Sequence, residues 1–412
     1  MKFRGEIVVE TSRVKIGLLL VLLLVFVVAL SLVSVKIRGG HEETVGAKQA
    51  LVLEPNQTVA EFGRQNNLPN PVLKDVFGLA SPGDLEKSVA SFNLAEEEIK
   101  ARVNKRTAIE EESASKNWIL IPLKFALWII FLSLVFVMVR RKRVTSGRRK
   151  WLYFSALTIF GVVLGADPAA MGTVKDAIVL YGQRGVIFPP RLVAMTVFLL
   201  MVFLANKFIC SWGCQLGTLQ DLIFRFNRNN RDTKGVMRQY KPPFVLTNTV
   251  RVLFFMAFTM AALVWATDII APVDPFRIYK PAMLGLWGGL FLAAILVASL
   301  FVYRPWCLFF CPFGLVGWLV EKISLFKIKV NYETCVACEA CARACPSTVM
   351  GAILKREKKV IPDCFACATC IEVCPTDSIS LGFGTRTRPP AGKFDPARKG
   401  ATGGQGEEGA SH

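Results

Sequence analysis

Apolar residues fall in long unbroken runs separated by charged stretches, and this alternation gives the first outline of the chain. A helix rises about 1.5 Å per residue, so roughly 20 apolar residues cross a hydrocarbon core of about 30 Å. Runs of this kind predict six membrane helices, at about 15–35, 118–139, 151–166, 192–209, 250–270 and 283–303. Lys2, Arg4, Arg13 and Lys15 precede or open the first run. A signal peptide begins the same way, but the run is long and no small-x-small cleavage site follows, so it reads as a retained anchor. Residues 36–117 are polar, of mixed charge and free of cysteine. They read as a small helical domain with short helices at 58–65, 71–77 and 94–103, broken by Pro69, Pro71 and Ser81-Pro82-Gly83.

Near the C-terminus the period changes. Residues 327–331 and 378–383 read as paired strands. Ile353-Leu354 and Val360-Ile361 read as a hairpin around the charged run 355–359. From Thr385 onward Gly, Pro and Arg dominate, and the tail 385–412 is expected to be disordered.

Charge fixes the expected topology. The 412 residues carry 50 Lys and Arg against 31 Asp and Glu, a net +19. Nucleic-acid binding is one reading of that excess. The basic residues instead cluster beside apolar runs, at 140–150 and 207–241, as the positive-inside rule expects. Six helices then place both termini in the cytoplasm of a bacterial inner membrane and 36–117 outside it. The sequence accordingly divides into 1–35, cytoplasmic N-terminus and anchor; 36–117, extracytoplasmic domain; 118–326, membrane domain; 327–384, a cysteine-rich module; and 385–412, tail. The membrane part repeats itself. In 151–227 a helix, Asp167-Pro168, a second helix and Cys210-x3-Cys214 follow in order; 250–322 repeats this with Asp274-Pro275 and Cys307-x3-Cys311. Sites tend to form where such halves meet.

Histidine and cysteine decide the cofactor. Only His41 and His412 are present, so two-histidine haem has no ligands, and no C-x-x-C-H run occurs. His41 reads as a surface residue beyond the first helix. All 12 cysteines lie at or after Cys210. Eight form two runs, Cys335-x2-Cys338-x2-Cys341-x3-Cys345-Pro346 and Cys364-x2-Cys367-x2-Cys370-x3-Cys374-Pro375. In such runs three thiolates bind one [4Fe–4S] cube and the fourth reaches the other cube. Cluster one therefore takes Cys335, Cys338, Cys341 and Cys374, and cluster two takes Cys364, Cys367, Cys370 and Cys345. The module is an α+β ferredoxin of bacterial type. C-x2-C pairs also bind structural zinc, but eight cysteines in this order point to iron.

Cys210, Cys214, Cys307 and Cys311 admit three readings. Residues four apart share a helix face, so the two pairs can face each other and hold a third iron–sulfur cluster. Such a cluster would link the soluble cubes to a carrier in the bilayer, lipid-dissolved quinone. The thiols can instead cycle through a disulfide, or pack as small hydrophobes. Asp167 and Asp274 read as helix N-caps before proline, or as part of a quinone or proton site. Lys175 and Asp176 read as an exposed ion pair.

Together, from about Trp151 to Phe383, these motifs resemble the NapH/NosR-type membrane polyferredoxins. The first pair departs from the family pattern, with Gln215 where Pro312 follows the second. The resemblance implies an electron-transfer subunit linked to the quinone pool, working with a reductase subunit or cytochrome in anaerobic respiration. It places Cys210, Cys214, Cys307 and Cys311 at the family's paired-cysteine positions. The alternative is a maturation or regulatory factor that supplies electrons to another protein's metal centre. The scarcity of charge inside the apolar helices argues against an ion-coupled pump.

Overall fold

The computed structural model describes residues 2–38, 51–54, 56–355 and 361–394; His41, His412 and Val360 lie outside them. The first helix, α1, spans Lys2–Arg38. A small domain follows, built from α2 (Val59–Gln65), α3 (Asn70–Phe77) and α4 (Glu96–Ala114). Local signals set these helices. Thr58 and Glu61 form a capping box at the start of α2. Pro71 stands in the first turn of α3, and Gly78 ends it in the left-handed region, with φ +67°. Val59, Phe62, Leu73, Val76, Phe77, Ile99 and Val103 give this domain a core separate from the main one.

The membrane part contains α5 (Leu120–Arg140), α6 (Ser146–Ala156), α7 (Ala170–Arg184), α8 (Pro189–Ala205), α9 (Phe208–Trp212) and α10 (Gln215–Phe226). It continues with α11 (Phe244–Val264), α12 (Leu286–Ala298), α13 (Pro305–Phe309) and α14 (Pro312–Glu321). Among the described residues three stretches are long and apolar enough to cross a membrane: Arg13–Ile37 within α1, α5 and α11. Pro189–Ala205, Leu286–Ala298 and Pro312–Glu321 are apolar but shorter. The expected third helix is α6 prolonged by a wider π-helical turn, Leu157–Val163. The protein is a mostly helical membrane protein.

The repeat is visible as structure. In each half a short helix carries the first cysteine and the second cysteine caps the next helix: α9 and α10, then α13 and α14. The halves differ at the Asp-Pro turn. The first inserts the 15-residue α7, where only a turn was expected; the second has the short 3-10 turns Pro275–Tyr279 and Pro281–Met283.

The C-terminal module pairs β1 (Phe326–Val330) antiparallel with β2 (Ile379–Phe383), Ile328 opposite Leu381. Between them run α15 (Ala340–Ala344), α16 (Val349–Lys355) and α17 (Thr369–Glu372). The expected hairpin is corrected here. Ile353 and Leu354 belong to α16, whose apolar face covers the cysteine loops, so an alternation of two residues was too short to decide the period. The start of the tail is also not free. Arg386 Nε donates to Ile328 O at 3.0 Å, and buried Phe394 packs against Tyr332. Residues 395–412 lie outside the described set.

The module and the small domain sit at opposite ends of the bundle. At the module end, Lys142 Nζ donates to Asp377 O (2.7 Å) and Arg149 pairs with Glu372 (2.9 Å). At the other end, called distal below, Arg191 of α8 pairs with Glu112 of α4, and Lys280 with Asp167 (2.8 Å).

Candidate metal centres and the distal cavities

The two cysteine runs fold into loops whose backbone geometry repeats. Ala337 and Glu339 in the first, and Ala366 and Ala368 in the second, take the left-handed region at φ +54°, +54°, +50° and +63°. Each such non-glycine residue costs about 1–2 kcal/mol, so something must hold it there. The turns wrap three sulfurs round one space. One cavity is lined by Cys335, Cys338, Cys341 and Cys374. A second is lined by Cys364, Cys367, Cys370 and Cys345. These are the two crossed sets that the spacing predicts.

The surroundings suit iron clusters. Donors reach the sulfurs: Ser378 N lies 3.3 Å from Cys374 Sγ, and Cys367 Sγ contacts Thr369 Oγ1 at 3.4 Å. Burial pushes the thiols of Cys341 and Cys364 up to about 12. Such thiols stay protonated until iron displaces the proton. Burial also opposes ionisation of Cys367, yet Arg225, Arg149 and the Thr369 hydroxyl outweigh it and bring that thiol below its ordinary value.

The membrane-edge cysteines converge, though not on one helix face as expected. The chain breaks at Gly213 and at Phe310, and Cys214 and Cys311 become N-caps. Burial pushes the Cys311 thiol well up, and the nearby sulfurs of Cys307, Cys214 and Cys210 push it further. The quartet thus stands at the contact between the halves. Its two sides match. Gly217 and Gly314 each follow the capping cysteine by three residues, and a Cβ there would lie 2.4 Å from Cys210 O and 2.8 Å from Cys307 O. Gly314 N donates to Cys311 Sγ at 3.3 Å. Cations line the site: Lys207, Arg304 and Arg251 all act on the Cys307 thiol. They offset the negative charge that thiolates would bring.

This close approach yields a test. Gly217→Val is expected to lose the quartet's iron, because the carbonyl of Cys210 blocks the new side chain. Gly351→Ala, at a glycine with open space, is expected to keep all its iron. Iron and acid-labile sulfide per chain measure both.

The loop 363–370 docks directly on the quartet. Trp212 Nε1 donates to Ala366 O (3.2 Å), and Phe365 lies against Tyr303 and Arg304. Lys207 and Arg251 each donate both to Gly314 O and to Asp363, the neighbour of Cys364. Behind these run fully buried charges. Asp221 accepts from Arg225 (2.8 Å) and Arg304 (2.6 Å), and Arg225 also meets Asp232, Thr369 and, through Asp232, Arg149. Sequence reasoning took Arg149 and Arg225 as topology signals and missed their burial. The spacing Asp221-x3-Arg225 within an apolar stretch is the signal that could have found them. It also missed Lys124, fully buried within α5, which donates to Gly165 O at 2.7 Å and Asp167 O at 3.2 Å. With Arg251 in α11, it corrects the view that the apolar helices hold almost no charge.

At the distal end lie two cavities. The first, of about 80 Å³, is lined by Trp118, Ile121, Pro168, Phe188 and Ala194 with Lys116, Asp167, Asp176 and Arg191 at its polar edge. The second, of about 200 Å³ and much more polar, lies between α4 and α7. Asp167 is not an N-cap, since the next helix begins at Ala170 beyond a cis Asp167-Pro168 bond. Asp274 does cap the turn Pro275–Tyr279, accepting from Phe276 N at 2.9 Å. Lys175 and Asp176 are not an exposed pair. Lys175 is buried and reaches Asp176, Asp268 and Asp274 at 3.1, 3.2 and 3.3 Å.

Comparison with known proteins now decides the class. The model of a 4Fe-4S dicluster domain matches residues 327–375, and that of a 4Fe-4S binding domain matches 187–233 and 284–331, the two cysteine-bearing halves. The chain is a relative of the NosR-type membrane polyferredoxins. Over 177 residues it is 28% identical to YccM of Escherichia coli, provisionally named an electron transport protein, covering 41% of this chain and 49% of that one. The regulatory protein NosR of Pseudomonas aeruginosa is 29% identical over 33% of this chain and 19% of its own length. The methylamine utilization ferredoxin-type protein MauN of Paracoccus denitrificans is 26% identical over 38% and 54%. The chain thus spans about half, or less, of these relatives. No solved structure matches it. This polyferredoxin relative thus combines iron–sulfur-binding domains with helices long and apolar enough to cross a membrane.

Proposed function

We propose that the chain relays electrons between a quinone or quinol, bound in the apolar distal cavity, and [4Fe–4S] clusters at the opposite end. The observation that carries this reading is one short chain segment. Residues 166–169 wall the distal cavity on one side through Asp167, Pro168 and Ala169. On the other side, Ala166 O accepts from Gln215 Nε2 at 2.6 Å, and Gln215 follows Cys214. A ring in the cavity would therefore lie one strand of backbone from the quartet. The quartet would hold the third cluster, pass electrons to cluster two through the docked loop 363–370, and cluster one would be the surface terminus. Cys338, exposed, belongs to that last set.

The charge pattern supports six crossings of a bacterial inner membrane, with the ferredoxin module and both termini in the cytoplasm and residues 36–117 outside. A reductase subunit or a cytochrome of an anaerobic respiratory complex would be the partner. The regulatory name of NosR favours a second reading, in which the electrons serve another protein's metal centre.

Single-turnover oxidation separates the two. The anaerobic full-length protein, reduced with titanium(III) citrate, is mixed with a short-chain benzoquinone and cluster absorbance is followed. Rapid oxidation is expected in the wild type, and at least a tenfold slowing in Ala194→Trp, which fills the cavity. Equal rates in both would sink the quinone reading and leave the second.

A further inference from the structure

The two distal cavities have a common wall. Asp176 and Arg191 line both of them. Quinone chemistry moves protons with electrons: two reduced clusters plus one quinone plus two protons give two oxidised clusters and one quinol. The first cavity is lined mainly by apolar groups. Its titratable lining is Lys116, Asp167, Asp176 and Arg191. Asp167 is tied to Lys280 at 2.8 Å, and Lys280 with Lys116 hold its carboxyl well below the ordinary range against the opposing effect of burial.

Asp176 is also held below the ordinary range, by Lys175 and Arg191 against the opposing effect of burial, but unlike Asp167 it lines both cavities. Its carboxylate faces the first cavity and borders the polar one, whose walls include Glu111, Glu112, Asp268 and Lys175. Carboxylates outnumber cations around it. Asp176, Asp268 and Asp274 gather on Lys175, and Arg191 is divided between Asp176 and Glu112. With Lys116 also on Glu112, four carboxylates share three cations, which leaves room for a shared proton. Burial raises Asp274 in keeping with this, against the pull of Lys175. Arg184, paired with Glu111, and Arg277 also face the polar cavity.

Resting on the quinone reading, we propose that Asp176 passes protons between the quinone head group and the polar cavity under the small domain, and so sets the face of the membrane with which quinone chemistry exchanges protons. The step makes and breaks only O–H bonds. A proton arriving from the polar cavity binds Asp176 and leaves it for the quinone oxygen as an electron arrives from the quartet; oxidation of quinol runs the reverse.

The test uses the single-turnover oxidation above on the full-length protein. Asp176→Asn is expected to slow oxidation by the benzoquinone at least tenfold, while oxidation by ferricyanide, which needs no proton, stays at the wild-type rate. Asp268→Asn, on the far wall, is expected to act the same way more weakly. A quinone rate unchanged in Asp176→Asn overturns the proposal, and so does equal slowing with both oxidants, which marks damage to the electron path. Ala194→Trp keeps the two ideas apart. If it blocks the quinone reaction and Asp176→Asn does not, the proton route alone fails; if it has no effect, the cavity reading fails with it.

Discussion

Replacing Cys210 and Cys307 together by alanine is expected to remove one whole cluster and leave the other two in place. A [4Fe–4S] cube takes four thiolates. Each of the matched halves 187–233 and 284–331 supplies only a pair, Cys210 with Cys214 and Cys307 with Cys311. A shared cube would satisfy both halves, and the structure brings all four sulfurs within electrostatic reach of each other. The wild type should hold about twelve irons and the variant about eight, since two intact sets of four cysteines remain in the module. EPR of the reduced protein should lose one signal and keep the interacting pair. An iron content near eight in both proteins would remove the third cluster and return these cysteines to thiol exchange or packing.

The ferredoxin module was legible because its signal is local. Fixed spacing within eleven residues forces three sulfurs into one turn, and the strand pairing of 327–331 with 378–383 emerges within a residue. The repeat was legible for the same reason, as an ordered string of helix, Asp-Pro, helix and cysteine pair. What the sequence hid depends on distant partners. Arg149, Arg225 and Arg304 look like any basic residues near a membrane face until Asp221 and Asp232 are seen to bury them. Lys175 looked like half of an exposed pair because its neighbour Asp176 is adjacent, whereas Asp268 and Asp274 are about a hundred residues on. α7 was read as a turn because its charges interrupt the apolar pattern, and those charges face the polar cavity. The helix break between the paired cysteines was invisible to a spacing of four, which suits an unbroken helix equally well.

Asp221→Asn is expected to destabilise the protein by about 3–5 kcal/mol, the cost of leaving buried charge without its counterion. The carboxylate accepts from Arg225 Nε at 2.8 Å, Arg304 at 2.6 Å and Tyr303 Oη at 2.9 Å, and all of these groups are buried. Its loss leaves two guanidinium groups competing for too few acceptors, since Arg304 keeps only Cys210 O and Ser211, and Arg225 keeps Asp232 and Thr369. Each of those contacts leads to a cluster. Arg304 holds the backbone of Cys210, and Arg225 reaches Cys367 through Thr369. The variant should thus shed iron from the quartet and cluster two before cluster one. Asp377→Asn is the contrast. Its partner Lys142 lies 3.3 Å away, but the aspartate side chain is 75% exposed, so the loss should stay under about 1 kcal/mol. Denaturant titration in detergent, followed by cluster absorbance, measures both, and equal midpoints for the two variants would refute the role given to the buried network. The acid limb carries the same sign. Burial opposes ionisation of Asp221, but Arg225 and Arg304 lower it to about 2 from 3.8. Its contribution is complete above the unfolded value and is lost as pH falls through the folded one, a loss that Asp221→Asn should not show.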